Sequence, residues 1–411
     1  MSSTLPLDDQ VAVLMRGVTF GDPQIEVTMA AELRSRLAEA LSEGRPLRVY
    51  LGVDPTASDL HLGHTVPLRK LRQFQDLGHE VVFLIGSFTA LIGDPSEKDS
   101  ARPQQTPEQV QAHADSYVAQ VHRVLDPERT IIEYNHRWLA PLTFAELIGL
   151  ASHFTVQQFL TRDNFSQRFA KGDPIWLHEF FYALMQAYDA VALHTDVQVG
   201  GTEQLFNLMA GRKLMEAAGQ RPQVCITLPI LVGTDGRLRM SKSTGNTIGI
   251  AEPPEVQYGK VMSIPDEAMR SYFELVTRWP PARIAAIFDE LAAGRPHPRD
   301  VKMALAWEIV SIFYGDDTAD AAAEHFQAVF QRRELPPDMP VHPLAAAIGI
   351  VDLLTESGLA SSKGEARRLV AQGGVRLDGA VIDDIAHMVE PAEAVLQVGR
   401  RRYVQLLPAG D

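Results

Sequence analysis

Only one cysteine, Cys225, occurs in the 411 residues. A single thiol cannot build a disulfide framework or a cysteine-rich zinc site, so a reducing, cytoplasmic compartment is expected. Cys225 lies in the largely apolar run Val224–Leu228 and reads as a buried core thiol. No apolar run is long enough to span a bilayer, and no basic-then-apolar start marks a signal peptide. The phosphate-binding pattern G-x-x-x-x-G-K-[ST] is also missing. Positive charge is in deficit, with 38 Lys and Arg against 52 Asp and Glu. The net charge of −14 argues against a protein that coats nucleic acid non-specifically, while leaving room for a local basic patch.

What is present suits a globular chain of two or three domains. Short apolar runs at Leu47–Val53, Glu80–Ile85, Thr130–Tyr134 and Val191–Val199 read as strands. Helical patterns at Leu62–Leu77, Glu108–Val124 and Gln204–Ala217 lie between or after them. That alternation predicts an α/β fold with a Rossmann-like, doubly wound parallel sheet, whose ligand site lies beyond the carboxyl ends of the strands. From about Ala251 to Phe330 the pattern is helical, and Glu334–Leu344 then carries four prolines in eleven positions, as a linker would. The expected division is a catalytic domain over 1–235, a helical domain over 236–333, a linker over 334–344 and a small α/β module over 345–411.

Two short motifs carry the chemistry. The first strand runs into Asp54-Pro55-Thr56-Ala57-Ser58-Asp59-Leu60-His61-Leu62-Gly63-His64. A helix opening there aims its free N–H groups and positive dipole end at the crevice, where phosphates can sit. Gly63 would let adenine lie close to the helix backbone, and His61 and His64 can both donate to phosphate oxygens. Alone, H-x-G-H could be two partly exposed helix histidines. The second motif is Arg239-Met240-Ser241-Lys242-Ser243, followed by Thr244-Gly245-Asn246. Its two cations and hydroxyls suit a mobile clamp over polyphosphate, with Lys242 neutralising charge on leaving pyrophosphate. Alone, it could be a solvated basic turn.

Together and in this order, the two motifs resemble the signatures of class I aminoacyl-tRNA synthetases. Further stretches are similar to the tyrosyl-tRNA synthetase family: Tyr50-Leu51-Gly52-Val53-Asp54-Pro55-Thr56-Ala57, Thr89-Ala90-Leu91-Ile92-Gly93-Asp94-Pro95, Tyr182-Ala183-Leu184-Met185-Gln186-Ala187-Tyr188-Asp189 and Gly200-Gly201-Thr202-Glu203-Gln204. Tyr182, Gln186 and Asp189 also fall on one helix face by spacing, three polar groups in an otherwise apolar helix. The resemblance implies that Tyr50 and Asp189 meet the phenol of L-tyrosine. It implies that Asp94, Tyr182 and Gln186 surround the ammonium group, with Gln204 near the carboxylate. ATP would be handled by Thr56, His61, His64, Arg239 and Lys242, with Lys98 and Arg102 as further candidates. Gly52, Gly63, Gly200, Met240 and Ser243 would line the nucleotide, and Asp54 and Glu203 would hold ribose hydroxyls. The chain departs from the family at Ala90, usually Gly, at Glu203, usually Asp, and at Arg239, often Lys. Mg²⁺ would arrive with ATP, with no metal held by the protein, and a homodimer is implied.

Gly358–Val370 with Gly373–Gly379 looks like an S4-type RNA-binding module. A serine cap at Ser361 or Ser362 would open a helix presenting Lys363, Arg367 and Arg368 towards tRNA(Tyr), with Arg376 on the following strand and Arg400, Arg401 and Arg402 on a later turn. The same cations could instead be a solvated face. The rival readings are a tryptophanyl enzyme of the same class, a small-molecule nucleotidylyltransferase, and an RNA-binding protein on a retired synthetase scaffold.

Overall fold

The computed structural model describes residues 5–55, 59–95, 106–330, 339–399 and 402–408. Thr56, Lys98, Arg102, Arg400 and Arg401 from the sequence expectations lie outside the described residues, as does the side chain of Ser243. The chain forms two compact units, Met1–Ala322 and Ala323–Asp411.

The first unit is built on five parallel strands: β1 (Arg48–Val53), β2 (Glu80–Ile85), β3 (Thr130–Tyr134), β4 (Val197–Gly201) and β5 (Val224–Leu228). Their order is β3-β2-β1-β4-β5. The chain therefore builds outward from β1 on one side, then returns to its other side at β4. The carboxyl ends of β1 and β4 flank this reversal, where a parallel sheet leaves a crevice. β1, β2, β4 and β5 are apolar along nearly their whole length because helices cover both faces of the sheet.

The strand expected at Val191–Val199 begins later than predicted. Helix Leu177–Leu193 runs through its first three residues and stops at His194, which adopts a left-handed conformation (φ 51°). Gln186, Ala190 and Leu193 continue the helix's buried face, so packing overrides the strand preference of Val191. Cys225 is fully buried in β5, the apolar run read from sequence only as core. Helices Pro254–Met262, Met269–Val276, Pro281–Ala292 and Pro298–Tyr314 follow the sheet.

The second unit has its own core, including Ile350, Leu353, Leu354, Ala366, Val370 and Leu396. It contains β6 (Val341–Leu344), β7 (Ile348–Gly349), helices Ile350–Glu356 and Lys363–Ala371, then β8 (Val375–Leu377), β9 (Ala380–Ile382), β10 (Met388–Val389), β11 (Ala394–Val398) and β12 (Arg402–Pro408). Five of the strands form a sheet in the order β6-β12-β11-β8-β9. The end of the proline-rich stretch is thus a strand. β6 lies at the sheet's edge, where Pro343 is tolerated because an edge strand needs bonds on one side only. Among the described residues no helix is long and apolar enough to cross a membrane.

Candidate active site

The carboxyl ends of β1 and β4 open onto a cleft of about 470 Å³. Gly52 and Asp54 enter it from β1 and the turn beyond, and His61, Gly63 and His64 from the start of helix Leu62–Asp76. Gly200, Glu203 and Gln204 enter from the end of β4, Tyr182 from its helix, and Asp94 from the turn after β2. Arg239, Met240 and Lys242 close one side.

Backbone bonds tie the two motif-bearing segments together. Leu62 N–H donates to Ile248 C=O at 2.9 Å, and Ile250 N–H donates to Leu60 C=O at 3.1 Å. Across the same seam the Lys242 ammonium lies 3.3 Å from an Asp59 carboxylate oxygen. The two imidazoles lie against each other at a 42° tilt, with ring centroids 3.9 Å apart. Burial drives the His61 pKa down to about 2, helped by the neighbouring His64, Lys242 and Arg239. Burial, with Lys242, also takes His64 down to about 4. Both rings are therefore neutral at physiological pH. The Nδ1 of His64 accepts the His61 backbone N–H at 3.2 Å, which leaves its ring proton on Nε2 as a donor.

At the other end a polar chain descends below the cleft floor. The Tyr182 hydroxyl donates to Asp54 Oδ2 at 3.0 Å, and the Thr89 hydroxyl donates to Asp54 Oδ1 at 2.7 Å. Asp54, expected at a ribose, is thus engaged with a member of the tyrosine set. Gly86 accommodates this contact, since a Cβ there would overlap the Asp54 carboxylate. Gln204 donates to Asp94 Oδ2 at 3.3 Å and accepts the Gly201 N–H at 3.1 Å. Gln186 accepts from the Asn207 amide at 2.9 Å.

Tyr50, Gln186 and Asp189 are buried and do not line the open cleft. Asp189 accepts from the Trp138 indole N–H at 2.7 Å and from the Asn135 amide at 3.3 Å. Burial nevertheless outweighs these bonds and raises its carboxyl to about 8. The Tyr50 phenol, fully buried, is pushed well above its ordinary value by burial and by the nearby Asp189. The Gln223 amide nearby opposes that shift slightly, yet the Tyr50 hydroxyl makes no hydrogen bond of ordinary geometry among the described residues. A buried hydroxyl without a partner is costly, and a ligand hydroxyl could supply one.

Asn135 and Trp138 were not picked out from sequence, and Thr89 only as the first residue of the stretch Thr89–Pro95, with no role of its own. A signal existed for the first two, which follow the carboxyl end of β3 just as the recognised motifs follow β1, β2 and β4. Among the described residues no group of three or more His, Cys, Asp or Glu side chains is placed to hold a metal ion.

The basic residues expected to meet RNA lie in the second unit. Ser362 caps helix Lys363–Ala371 by accepting the Glu365 N–H at 3.2 Å. Arg367, Arg368 and Arg376 are exposed, whereas Lys363 pairs with Asp352 at 2.6 Å. Arg402 donates to Leu359 C=O at 2.7 Å.

The family described as tRNA synthetases class I (W and Y) matches residues 42–331, and the S4 domain matches residues 348–395. The chain is 50% identical to a tyrosine–tRNA ligase of Thermotoga maritima over 400 residues, covering 97% of each chain. It is 49% identical to one of Moorella thermoacetica, covering 97% of this chain and 95% of the relative. Among solved structures it resembles a tyrosyl-tRNA synthetase from Archaeoglobus fulgidus complexed with L-tyrosine, with a TM-score of 0.59 and 22% identity over 77% of this chain and 100% of that one. A tryptophanyl-tRNA synthetase from Plasmodium falciparum shares the fold at a TM-score of 0.54 and 13% identity, over 71% and 81% of the two chains.

Proposed function

The chain belongs to the class I tRNA synthetases of the tryptophan and tyrosine type and carries an S4 domain, and from that premise we infer that its cleft joins tyrosine to tRNA at the expense of ATP. The tyrosine carboxylate attacks the α-phosphorus of ATP, giving tyrosyl-adenylate and pyrophosphate. The 3′-terminal ribose hydroxyl of the RNA then attacks the adenylate. The first nucleophile is already ionised, so positioning and charge stabilisation carry the step.

The observation that carries the choice of tyrosine is the buried hydroxyl of Tyr50 near Asp189, which among the described residues has no hydrogen bond of ordinary geometry. A phenol entering there gives Tyr50 its missing bond, and phenylalanine cannot. A site built to hydrogen-bond a hydroxyl rejects the analogue lacking it, a discrimination for which the tyrosine enzyme is itself the standard example. Trp138 and Asn135 hold Asp189 for that contact. Asp94, Tyr182 and Gln186 receive the ammonium group, Gln204 lies near the carboxylate, and Asp54 acts through Tyr182. At the phosphate end His61 and His64 donate as neutral rings. Lys242 exchanges Asp59 for the leaving pyrophosphate, and Thr56, Arg239, Lys98 and Arg102 add donors. Glu203 reaches the ribose. Mg²⁺ enters with ATP as the counter-ion of its phosphates. Lys363, Arg367, Arg368 and Arg376 meet the backbone of tRNA(Tyr), and the lone buried thiol suits a cytoplasmic setting.

Six large apolar side chains between Phe144 and Leu177 are more than half exposed, Phe144 at 77% and Leu177 at 69%. That exposed apolar surface supports a homodimer, which sedimentation equilibrium would test. The activity itself is tested by ATP–pyrophosphate exchange with each amino acid in turn. Tyrosine should support exchange far better than phenylalanine or tryptophan, and equal exchange with tryptophan would overturn the reading.

A further inference from the structure

The loop that carries Lys242 folds around one side chain that never reaches the cleft. Asn246 is 4% exposed, and every polar atom of its side chain is used. Its Oδ1 accepts the Ser241 N–H at 2.9 Å and the Thr244 hydroxyl at 2.7 Å. Its amide donates to Asp235 Oδ2 at 2.6 Å and to the Arg239 carbonyl at 3.1 Å, with a longer approach to the Leu238 carbonyl at 3.4 Å. Its own carbonyl accepts the Thr234 N–H at 3.0 Å. A Cβ on Gly233 would overlap the Asn246 amide, so the neighbouring backbone is shaped around it.

The other half of the clamp is Asp235. Its Oδ1 accepts the N–H groups of Arg237 at 2.7 Å and Leu238 at 2.8 Å, closing the turn that leads back to Arg239. Other contacts also fasten the loop: Met240 N–H donates to Leu231 C=O at 2.9 Å, Gly233 N–H donates to Leu238 C=O at 2.8 Å, and Lys242 meets Asp59 at 3.3 Å. The Tyr272 hydroxyl donates to Val232 C=O at 2.9 Å, and Lys260 donates to Thr247 C=O at 3.1 Å. Between those anchors, Asn246 ties together the chain on both sides of Lys242, bonding the Arg239 carbonyl and Ser241 N–H before it and the Thr244 hydroxyl after it.

We propose that Asn246, clamped by Asp235, is the positioning residue of the adenylation step: it sets the backbone of the 234–246 loop so that Lys242 is presented to the phosphates of ATP. The proposal rests on the role given to Lys242 above. An amide is required because one group must accept from Ser241 and Thr244 while donating to a carboxylate and to main-chain carbonyls. A carboxylate of the same shape loses every donated bond and stands against Asp235 as a like charge.

The test measures single-turnover adenylate formation, tyrosine affinity and thermal stability in the full chain. Asn246→Ala should slow adenylate formation on the order of 10²-fold, the scale of a catalytic group misplaced by about 1 Å. Tyrosine affinity should stay within about twofold. In a Lys242→Ala background, Asn246→Ala should add almost nothing, because the two act as one unit. Asn246→Asp should be as slow as Asn246→Ala. The reciprocal pair Asp235→Asn with Asn246→Asp restores a donor–acceptor contact between the two positions and should recover about tenfold.

A slow Lys242→Ala with a normal Asn246→Ala would sink this proposal alone. A normal Lys242→Ala would sink it together with the role of Lys242. Losses that multiply in the double variant, or tyrosine affinity and thermal stability falling in step with the rate, would show a merely structural residue. A reciprocal pair no faster than Asn246→Asp would break the link to Asp235.

Discussion

Asp189 sits between two opposing influences, since burial favours its neutral form while the N–H donors of Trp138 and Asn135 favour its ion. Burial wins and takes the carboxyl to about 8, against roughly 3.9 in an unfolded chain. The folded state therefore binds the extra proton between these values, so the contribution to stability is full below about pH 4 and lost as pH rises towards about 8. The buried histidines slope the other way: their depressed values mean that stability present above about pH 6.5 is lost on acidification. The difference in Tm between the ligand-free protein and Asp189→Asn isolates the carboxyl. It should shrink as pH rises from 4 to 8, and a constant difference would mean that Asp189 is ionised throughout. A second expectation concerns selectivity. Tyr50→Phe removes one neutral hydrogen bond to the bound phenol and should cost about 0.5–1.5 kcal/mol in tyrosine activation. Asp189→Ala should cost a further ~1–3 kcal/mol, because it strands the substrate hydroxyl together with Trp138 and Asn135. Pyrophosphate exchange with tyrosine and phenylalanine measures both, and the loss should fall on tyrosine alone. Tyr182, Gln186 and Asp189 were legible because one helix carries them at a spacing that has meaning by itself. Trp138 and Asn135 were not, since their importance comes from a partner 51 and 54 positions away in the chain.

At the level of elements, the crevice exists because β1 and β4 are neighbours with opposite onward connections, and three of the recognised motifs follow the carboxyl ends of β1, β2 and β4. This much could be read from sequence, since parallel strands with both faces covered leave unbroken apolar runs. Two boundaries could not. The end of helix Leu177–Leu193 is set by the buried face it shares with helix Leu205–Ala217, and a valine-containing run does not reveal that contact. β6 is hidden among prolines because an edge strand tolerates them. The loop 234–246 illustrates a third case, where the sequence marks the cations but not the amide that shapes their backbone. Its cation gives the prediction for this scale. Lys242→Ala should slow adenylate formation by the equivalent of about 3–4 kcal/mol, the scale of one preorganised electrostatic donor. Tyrosine affinity should be almost unchanged, because Tyr50 and Asp189 lie elsewhere in the site. A variant that bound tyrosine poorly but kept its single-turnover rate would contradict a role on phosphate.

The whole molecule carries a net charge of −14, so any hold on tRNA must come from local basic surface rather than from overall attraction. Such a surface is available on the second unit, where Arg367 and Arg368 are exposed on helix Lys363–Ala371. That unit has a separate core, and the residues of the cleft all belong to the first. A chain ending near Arg333, which keeps helix Asp316–Phe330 whole, should therefore fold, bind ATP and form tyrosyl-adenylate at close to the full rate. It should lose tRNA affinity and charging together. In the intact enzyme, each phosphate contact releases counterions, and affinity should fall with salt by a slope of about −0.7 to −0.9 per contact. Replacing Arg367 and Arg368 by Ala should flatten that slope by at most about two contacts, without altering pyrophosphate exchange. Charging and exchange measured side by side on the truncated chain separate the outcomes. Charging that survives truncation would mean that the basic helix does not hold tRNA. Exchange that collapses with it would mean that the second unit is needed for the catalytic fold, despite its independent core.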